Sequence, residues 1–150
     1  MRSKLEFGSV VWNPHQSFLL NTIENVQKRF LRFLYFKEFG HYTTAVPYSE
    51  LLSVFEVDSL DKRRQVALVA CLHRLVRGSL DSGTLLSKLN FNIPWHNSRC
   101  RLLFSPHFSR TNLGANSPVN SMLQIYNSLP ADVDIFNCSM QTIRQKIFKS

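Results

Sequence analysis

The sequence predicts a mainly α protein: a small helical bundle with a long irregular loop at about 90–116 and one short extended segment near the N-terminus. Three observations predict this class. Apolar residues recur at spacings of three and four in several stretches, which is the period of an amphipathic helix. Glycine or proline follows most of these stretches, where helices commonly stop. The 150 residues are 44% hydrophobic and 19% charged, a composition typical of one globular domain rather than a disordered chain.

Residues 1–16 are predicted to form an extended lead-in. Within it, residues 7–12 are apolar, and the β-branched Val10 and Val11 favour a strand or an extended conformation. The residue before Pro14 is biased away from helix, so the lead-in is expected to end there.

The first long helix is predicted to run from Ser17, whose hydroxyl suits a cap, to about Phe36. Gly40 is a natural stop. The apolar positions on the helical period are expected to face the core: Leu19, Ile23, Val26, Phe30 and Phe33 or Leu34.

Two further helices are predicted before residue 89. A short one starts near Pro47, since proline is tolerated in a first helical turn. The longest apolar period in the chain follows, with Asp58 or Ser59 as its cap and Gly78 at its end. Its buried stripe is predicted to comprise Leu60, Ala67, Leu68, Cys71, Leu72, Leu75 and Val76.

The second half of the chain changes character. Residues 85–89 are expected to add one or two helical turns, and residues 90–116 lack a sustained period and predict a loop, with 101–108 extended. Two helices are predicted in 117–150. Ser117 opens the first, and Ser139 caps the second.

Charge and cysteine content limit the class of protein. Eighteen Lys and Arg against ten Asp and Glu give a net charge of +8, which favours nucleic acid or an anionic membrane surface as partner. A charged face on an ordinary soluble protein explains this balance equally well.

The N-terminus resembles no signal peptide, and no apolar run is long enough for a membrane span. Cys71, Cys100 and Cys138 suit buried thiols in a reducing compartment, so the sequence predicts a nuclear or cytoplasmic protein.

Candidates for catalysis or metal binding are few. Asp132 and Asp134 form the only close pair of aspartates, whereas two-metal chemistry needs a larger carboxylate cluster; solvated loop residues explain the pair better. His96, Cys100 and His107 lie within twelve positions, but a structural zinc site needs a fourth ligand and usually short cysteine steps. We therefore expect no catalytic residue, metal, cofactor or small-molecule substrate.

Basic residues cluster on two predicted helices. They are Lys28, Arg29 and Arg32 on the first long helix, and Arg63, Arg64, Arg74 and Arg77 on the second. At 100° per residue, Arg63, Arg74 and Arg77 fall within about 40° of one line. Two such faces can line a groove for a nucleic-acid backbone, where Lys and Arg replace condensed counterions. A solvated charged face is the alternative, and the helix dipole also favours cations near the end of the first helix.

A series of short motifs resembles one known family. Residues 5–14 read Leu-Glu-Phe-Gly-Ser-Val-Val-Trp-Asn-Pro and lead into Ile-Glu-Asn-Val-Gln-Lys-Arg-Phe at 23–30. Further matching steps follow in order at 48–52, 59–64, 78–82, 86–94, 110–112, 116–118, 126–130 and 133–136. Together they resemble the segment after the polymerase palm in reverse transcriptases of jockey-type non-LTR retrotransposons.

This resemblance implies a C-terminal fragment of an RNA-directed DNA polymerase. In that family the catalytic aspartates lie upstream of the first motif; here four residues precede it, and no consecutive aspartates occur. We expect no polymerase activity from the chain alone. By resemblance, 1–150 is a single truncated domain in which 17–89 are thumb-like helices, 90–116 a loop and 117–150 the C-terminal helices.

The resemblance also implies partners and a site. A polymerase thumb grips the template–primer duplex by its backbone, which implies weak, sequence-independent binding of RNA or an RNA–DNA hybrid and a palm as the second partner. The implied contacts are Lys28, Arg29, Arg32, Arg63, Arg64, Arg74 and Arg77. The family often carries an arginine just after Asn-Ser-Pro, where this chain has Asn120 and Ser121. An inactive helical remnant or a protein-interaction module without nucleic-acid binding is the alternative.

Overall fold

The computed structural model describes residues 5–40, 46–93, 102–130 and 132–149. Within these ranges the regular structure is helical, so the prediction of a mainly α protein is confirmed; the only β pairing there is an isolated bridge. The helices are α1 Ser9–Trp12, α2 Ser17–Phe39, α3 Tyr48–Val54, α4 Leu60–Val76, α5 Gly83–Leu86, α6 Asn112–Ala115, α7 Pro118–Asn127 and α8 Met140–Lys149. No helix in this part of the chain combines the length and apolarity needed to cross a bilayer.

The predicted extended N-terminal segment is wrong. Leu5 and Glu6 are helical, and α1 occupies the apolar run that was expected to be a strand. Gly8 precedes α1 with a φ of 64°, a left-handed conformation that glycine adopts without a side-chain clash. Ser9 is buried and Val10 packs on apolar side chains of α4 and α7. Burial of Ser9 and packing of Val10 therefore override the local β preference of this segment, although Val11 is 77% exposed.

The described residues divide into two compact units. The first contains residues 5–7 and 14–64, and the second contains 8–13 and 65–149, apart from the gaps stated above. The division falls inside α4, between Arg64 and Gln65.

In the first unit, α2 is the longest element. It begins at Ser17, but Gln16 occupies the cap position and makes no capping hydrogen bond through its side chain, so the predicted serine cap is wrong. The helix extends to Phe39, three residues beyond the predicted end. Gly40 then ends it with a φ of 74°, as predicted.

The buried side of α2 differs from the predicted one. Gln27 and Leu31 are buried, whereas most of the apolar positions expected in the core are exposed. The exposed members of that set are Leu19, Val26, Phe30 and Phe33. The reason is a polar contact: Gln27 donates from Nε2 to the Tyr48 hydroxyl (3.1 Å) and to the Asp58 carbonyl (3.0 Å). These bonds turn the Gln27 side of the helix inward.

The second unit has a continuous apolar core. Leu72 and Val69 of α4, Leu123 of α7 and Ile143 of α8 are fully buried within it. The other buried members are Leu68, Leu75, Leu89, Phe104, Met122, Tyr126, Val133, Ile135 and Ile147. Gly78 ends α4 with a φ of 70°, and Ser117 accepts a capping hydrogen bond from the Asn120 amide, as the sequence predicts.

The irregular segment before α7 is held by hydrogen bonds rather than by a sheet. Phe91 and Phe104 form the isolated antiparallel bridge, and two asparagines of α7 bind the backbone of the same segment. Asn127 pairs with the N–H and C=O of Phe104, and Asn120 pairs with the N–H and C=O of His107. The predicted loop is irregular where it is described, except for α6, a short helix that the sequence did not predict. Residues 94–101 of that loop lie outside the described part.

Candidate nucleic-acid interface

The outer side of α2 carries the first predicted basic cluster. At about 100° per residue, Lys28, Arg29 and Arg32 fall within a sector of about 100° that excludes the buried Gln27 and Leu31. Arg29 is exposed, and Lys28 and Arg32 are half-buried. No described carboxylate pairs with Lys28 or Arg29. Their charges therefore face solvent and are open to an anionic partner.

Two phenylalanines share this outer side with the arginines. The Phe33 side chain is 50% exposed and that of Phe36 is 42% exposed. Each follows an arginine by four residues, so Arg29 neighbours Phe33 and Arg32 neighbours Phe36 along the helix surface. We call these four residues the aromatic–arginine face. Apolar periodicity predicts Phe33 in the core and indicates no role for Phe36, whereas a helical wheel centred on Gln27 places both outside.

A polar network sets this orientation of α2. The Tyr48 hydroxyl donates to Glu24 Oε1 (2.5 Å), and the same oxygen accepts from the Leu60 backbone N–H at the start of α4 (3.2 Å). Burial raises the pKa of Tyr48 above its usual range, and the Glu24 carboxylate raises it further. Together with Gln27, these groups join α2 to α3 and to the first turn of α4. The basic sector of α2 consequently remains on the outside.

Arg63 and Arg64 are placed differently from the other predicted contacts. Arg63 forms an ion pair with Glu6, and only 9% of its side chain is exposed. Arg64 is 1% exposed, and none of its three guanidinium nitrogens has a hydrogen-bond partner in the described chain. Neither guanidinium is presented to solvent, so the candidate interface does not include them.

Arg74 and Arg77 belong to the second unit and form a separate cationic patch. Arg74 is exposed on the last turn of α4. Arg77 follows the helix end and donates from Nη2 to the Phe136 carbonyl (2.7 Å), while its side chain remains largely exposed. This hydrogen bond fixes one side of the guanidinium and leaves the other available to an anion.

The two acidic candidates are engaged by other residues of the second unit. Asp132 pairs with Lys146 of α8, which lowers the pKa of the carboxyl group. Asp134 accepts from the Phe136 N–H (2.9 Å) and from the Asn137 side chain. No group of three or more potential metal ligands exists among the residues placed in the structure.

Of the histidine and cysteine candidates for a metal site, the structure describes only His107. His107 binds the Lys88 carbonyl through Nε2 (2.8 Å) and the Asn90 side chain through Nδ1 (3.3 Å). His96 and Cys100 lie outside the described residues. Cys71 and Cys138 are free thiols, and burial raises the pKa of Cys71.

No known family model matches the chain, and neither a curated protein nor a solved structure is significantly similar to it.

Proposed function

We propose that this chain is a C-terminal, post-palm part of a jockey-type non-LTR retrotransposon reverse transcriptase. On this proposal it binds RNA or an RNA–DNA hybrid through the nucleic-acid backbone, weakly and without sequence preference. The ordered motifs from residues 5–14 to residues 133–136 support the family, and the mainly helical fold is compatible with it. The proposed partners are the nucleic acid and the polymerase palm.

The observation that carries the binding proposal is the exposed basic sector of α2. Arg29 projects opposite the buried side of the helix, and Lys28 lies at the edge of the same basic sector; neither has a carboxylate partner in the described chain. Arg32 extends the same sector. Such side chains bind phosphates by releasing condensed counterions, an interaction that does not depend on base sequence. The net charge of +8 favours the same class of ligand.

The proposed role is binding rather than catalysis. Polymerase chemistry requires carboxylates that hold two metal ions around the reacting phosphate. The sequence has no consecutive aspartates, and Asp132 and Asp134 are engaged by neighbouring side chains and backbone. Primer extension by the purified chain is therefore expected to be absent, and Mg²⁺-dependent extension would contradict the proposal.

The proposal is tested by fluorescence anisotropy with a labelled RNA–DNA hybrid over a series of salt concentrations. The affinity should fall steeply as salt rises. In the triple variant Lys28→Ala, Arg29→Ala, Arg32→Ala, binding should weaken, and the slope of log K against log salt should decrease by roughly 0.7–0.9 for each lost phosphate contact.

A matched control removes the same charge from the second unit. Lys88, Arg110 and Arg144 are exposed cations outside the proposed site, and their replacement by Ala should leave the slope nearly unchanged. Equal losses of affinity in both triple variants would mean that net charge, and not the α2 site, accounts for binding. Absence of binding even at low salt would refute the proposal.

The protein-interaction module is the second candidate, and one feature of the first unit favours it. An open apolar cavity of about 260 Å³ lies beside α2. Its apolar lining includes Leu5, Val26, Phe30, Leu34, Phe55 and Val57. On this alternative the chain does not bind the hybrid at low salt, so the same titration separates the two functions.

A further inference from the structure

A partly enclosed cavity of about 590 Å³ lies within the second unit. Residues of α1, α4, α5, α6 and α7 form its walls together with part of the irregular segment before α6. The apolar side chains that line it include Val10, Val11, Leu85, Val119 and Met122. Pockets that hold small ligands have volumes of about 300–1,000 Å³ and mostly apolar walls with a few polar groups. The size and lining of this cavity therefore suit a small ligand.

Hydrogen bonds hold one side of the cavity in place. Asn120, which is 2% exposed, pairs with the N–H and C=O of His107 and donates to the Gly114 carbonyl (3.1 Å). The His107 ring donates from Nε2 to the Lys88 carbonyl (2.8 Å), and its Nδ1 accepts from the Asn90 side chain (3.3 Å). These bonds fix the wall before any ligand arrives. They also use the ring nitrogens of His107 and the amide of Asn120, so a ligand must find its polar contact elsewhere.

Lys88 supplies a positive charge at the edge of this cavity. It belongs to the lining and is exposed, so its side chain borders the mouth. No described carboxylate forms an ion pair with it. An anionic group at the mouth is therefore attracted, whereas a cationic group is repelled.

An alkyl carboxylate matches both the apolar walls and the single charge. Each methylene removed from water raises the affinity by about fourfold. A sugar phosphate or a nucleotide would instead place its hydroxyls or polar base edges against apolar walls, and burying such groups without partners is costly. A cationic amphiphile would bring a like charge beside Lys88.

We propose that this cavity binds a fatty-acid anion, with the alkyl chain among Val10, Val119 and Met122 and the carboxylate at Lys88. The site is independent of the proposed nucleic-acid function, because none of its lining residues belongs to the basic sector of α2. The sequence predicts no small-molecule substrate, and a ligand held here is bound rather than converted.

Isothermal titration calorimetry of the purified chain tests the choice of ligand. Hexanoate, octanoate and decanoate, each below its micelle concentration, should bind with affinities that rise by up to about fourfold for each added methylene. Decylamine, a cation at neutral pH, should bind more weakly than decanoate. No binding of decanoate, or an affinity independent of chain length, would overturn the proposal.

Charge variants test the role of Lys88. Lys88→Glu should weaken decanoate binding by roughly fivefold or more and strengthen decylamine binding. Lys88→Gln should act on decanoate in the same direction, and Lys88→Arg should keep most of the affinity. Arg144→Glu is the matched control, because Arg144 is an exposed cation of the second unit that does not line the cavity. Equal losses in Lys88→Glu and Arg144→Glu, with unchanged helical content by circular dichroism, would refute the assignment of the carboxylate to Lys88.

Two thiols of the second unit show where the ligand lies. Cys71 lines the cavity and Cys138 does not. Saturating decanoate should slow alkylation of Cys71 by N-ethylmaleimide and leave Cys138 unaffected, as measured by peptide mass spectrometry. Labelling is done at alkaline pH, because burial raises the pKa of Cys71. Equal protection of both thiols, or a Cys71 that fails to react in the free protein, would contradict an accessible cavity at this position.

Discussion

The two units of the chain are stabilised by different interactions. Thirteen buried apolar residues form one cluster in the described part of the second unit, whereas the described part of the first contributes Leu31, Leu51 and Leu60 as fully buried apolar residues. Hydrogen bonds from Tyr48 and Gln27 join its helices instead. The unit with the smaller apolar core also carries the exposed aromatic–arginine face. We infer that stability is concentrated in the second unit and that the surface suited to binding lies on the first.

The largest effect should come from the apolar core of the second unit. Leu123 is fully buried, so Leu123→Ala should lower the free energy of unfolding by about 2–5 kcal/mol because it removes apolar contacts and leaves a cavity. Urea denaturation measures the change. Leu113→Ala, at a residue that is 78% exposed, is the matched control and should cost about 0.5 kcal/mol or less. Similar losses in both variants would contradict the assignment of stability to this core.

A smaller effect is expected from the polar network of the first unit. Glu24→Ala leaves the Tyr48 hydroxyl and the Leu60 N–H without their acceptor, and should cost about 1–3 kcal/mol. Glu24→Gln keeps an acceptor oxygen and should cost less. Hydrogen exchange measures where the loss occurs: α2 and α3 should lose protection in Glu24→Ala, while α7 should keep it. Equal loss of protection in α7 would mean that the two units unfold together.

The smallest effect should appear only at alkaline pH. Burial and Glu24 raise the folded-state pKa of Tyr48 above the unfolded value of 10.0, so folding favours the protonated phenol. This contribution to stability is complete below pH 10 and decreases as pH rises further, because the unfolded chain then loses the proton first. Urea denaturation on either side of pH 10 should therefore give a smaller alkaline loss for Tyr48→Phe than for the wild type. If the variant and the wild type lose the same stability at alkaline pH, Tyr48 is excluded as the source of that loss.

Local signals predicted the ends of several helices but not every buried face. Gly78 and Ser117 marked the end of α4 and the start of α7, because left-handed glycine and serine caps act within one turn. The inward side of α2 depends on Gln27, whose partners lie 21 and 31 residues away along the chain. Apolar periodicity contains no information about such polar contacts. The predicted buried face of α2 is therefore rotated away from the observed one, which contains Gln27 and Leu31.

The candidate site was also predictable only in part. The cluster of Lys28, Arg29 and Arg32 is visible in the sequence, and the structure leaves it on the outer side of α2. The different surroundings of Arg63 and Arg64 were not predictable. The ion pair of Arg63 with Glu6 spans 57 residues of sequence, and the burial of Arg64 follows from tertiary packing.

The two asparagines of α7 match a spacing along the helix to a spacing along the irregular segment. A carboxamide has one carbonyl oxygen and an N–H donor, so Asn120 and Asn127 each bind a residue of the irregular segment as a neighbouring strand would. Seven helical residues span about 10.5 Å, and the three steps from Phe104 to His107 span about 10 Å when extended. The helix therefore holds the segment at two points, Phe104 and His107. Inserting or deleting one residue between Phe104 and His107 would shift the second point by about 3.3 Å, and only one asparagine could then keep both of its hydrogen bonds.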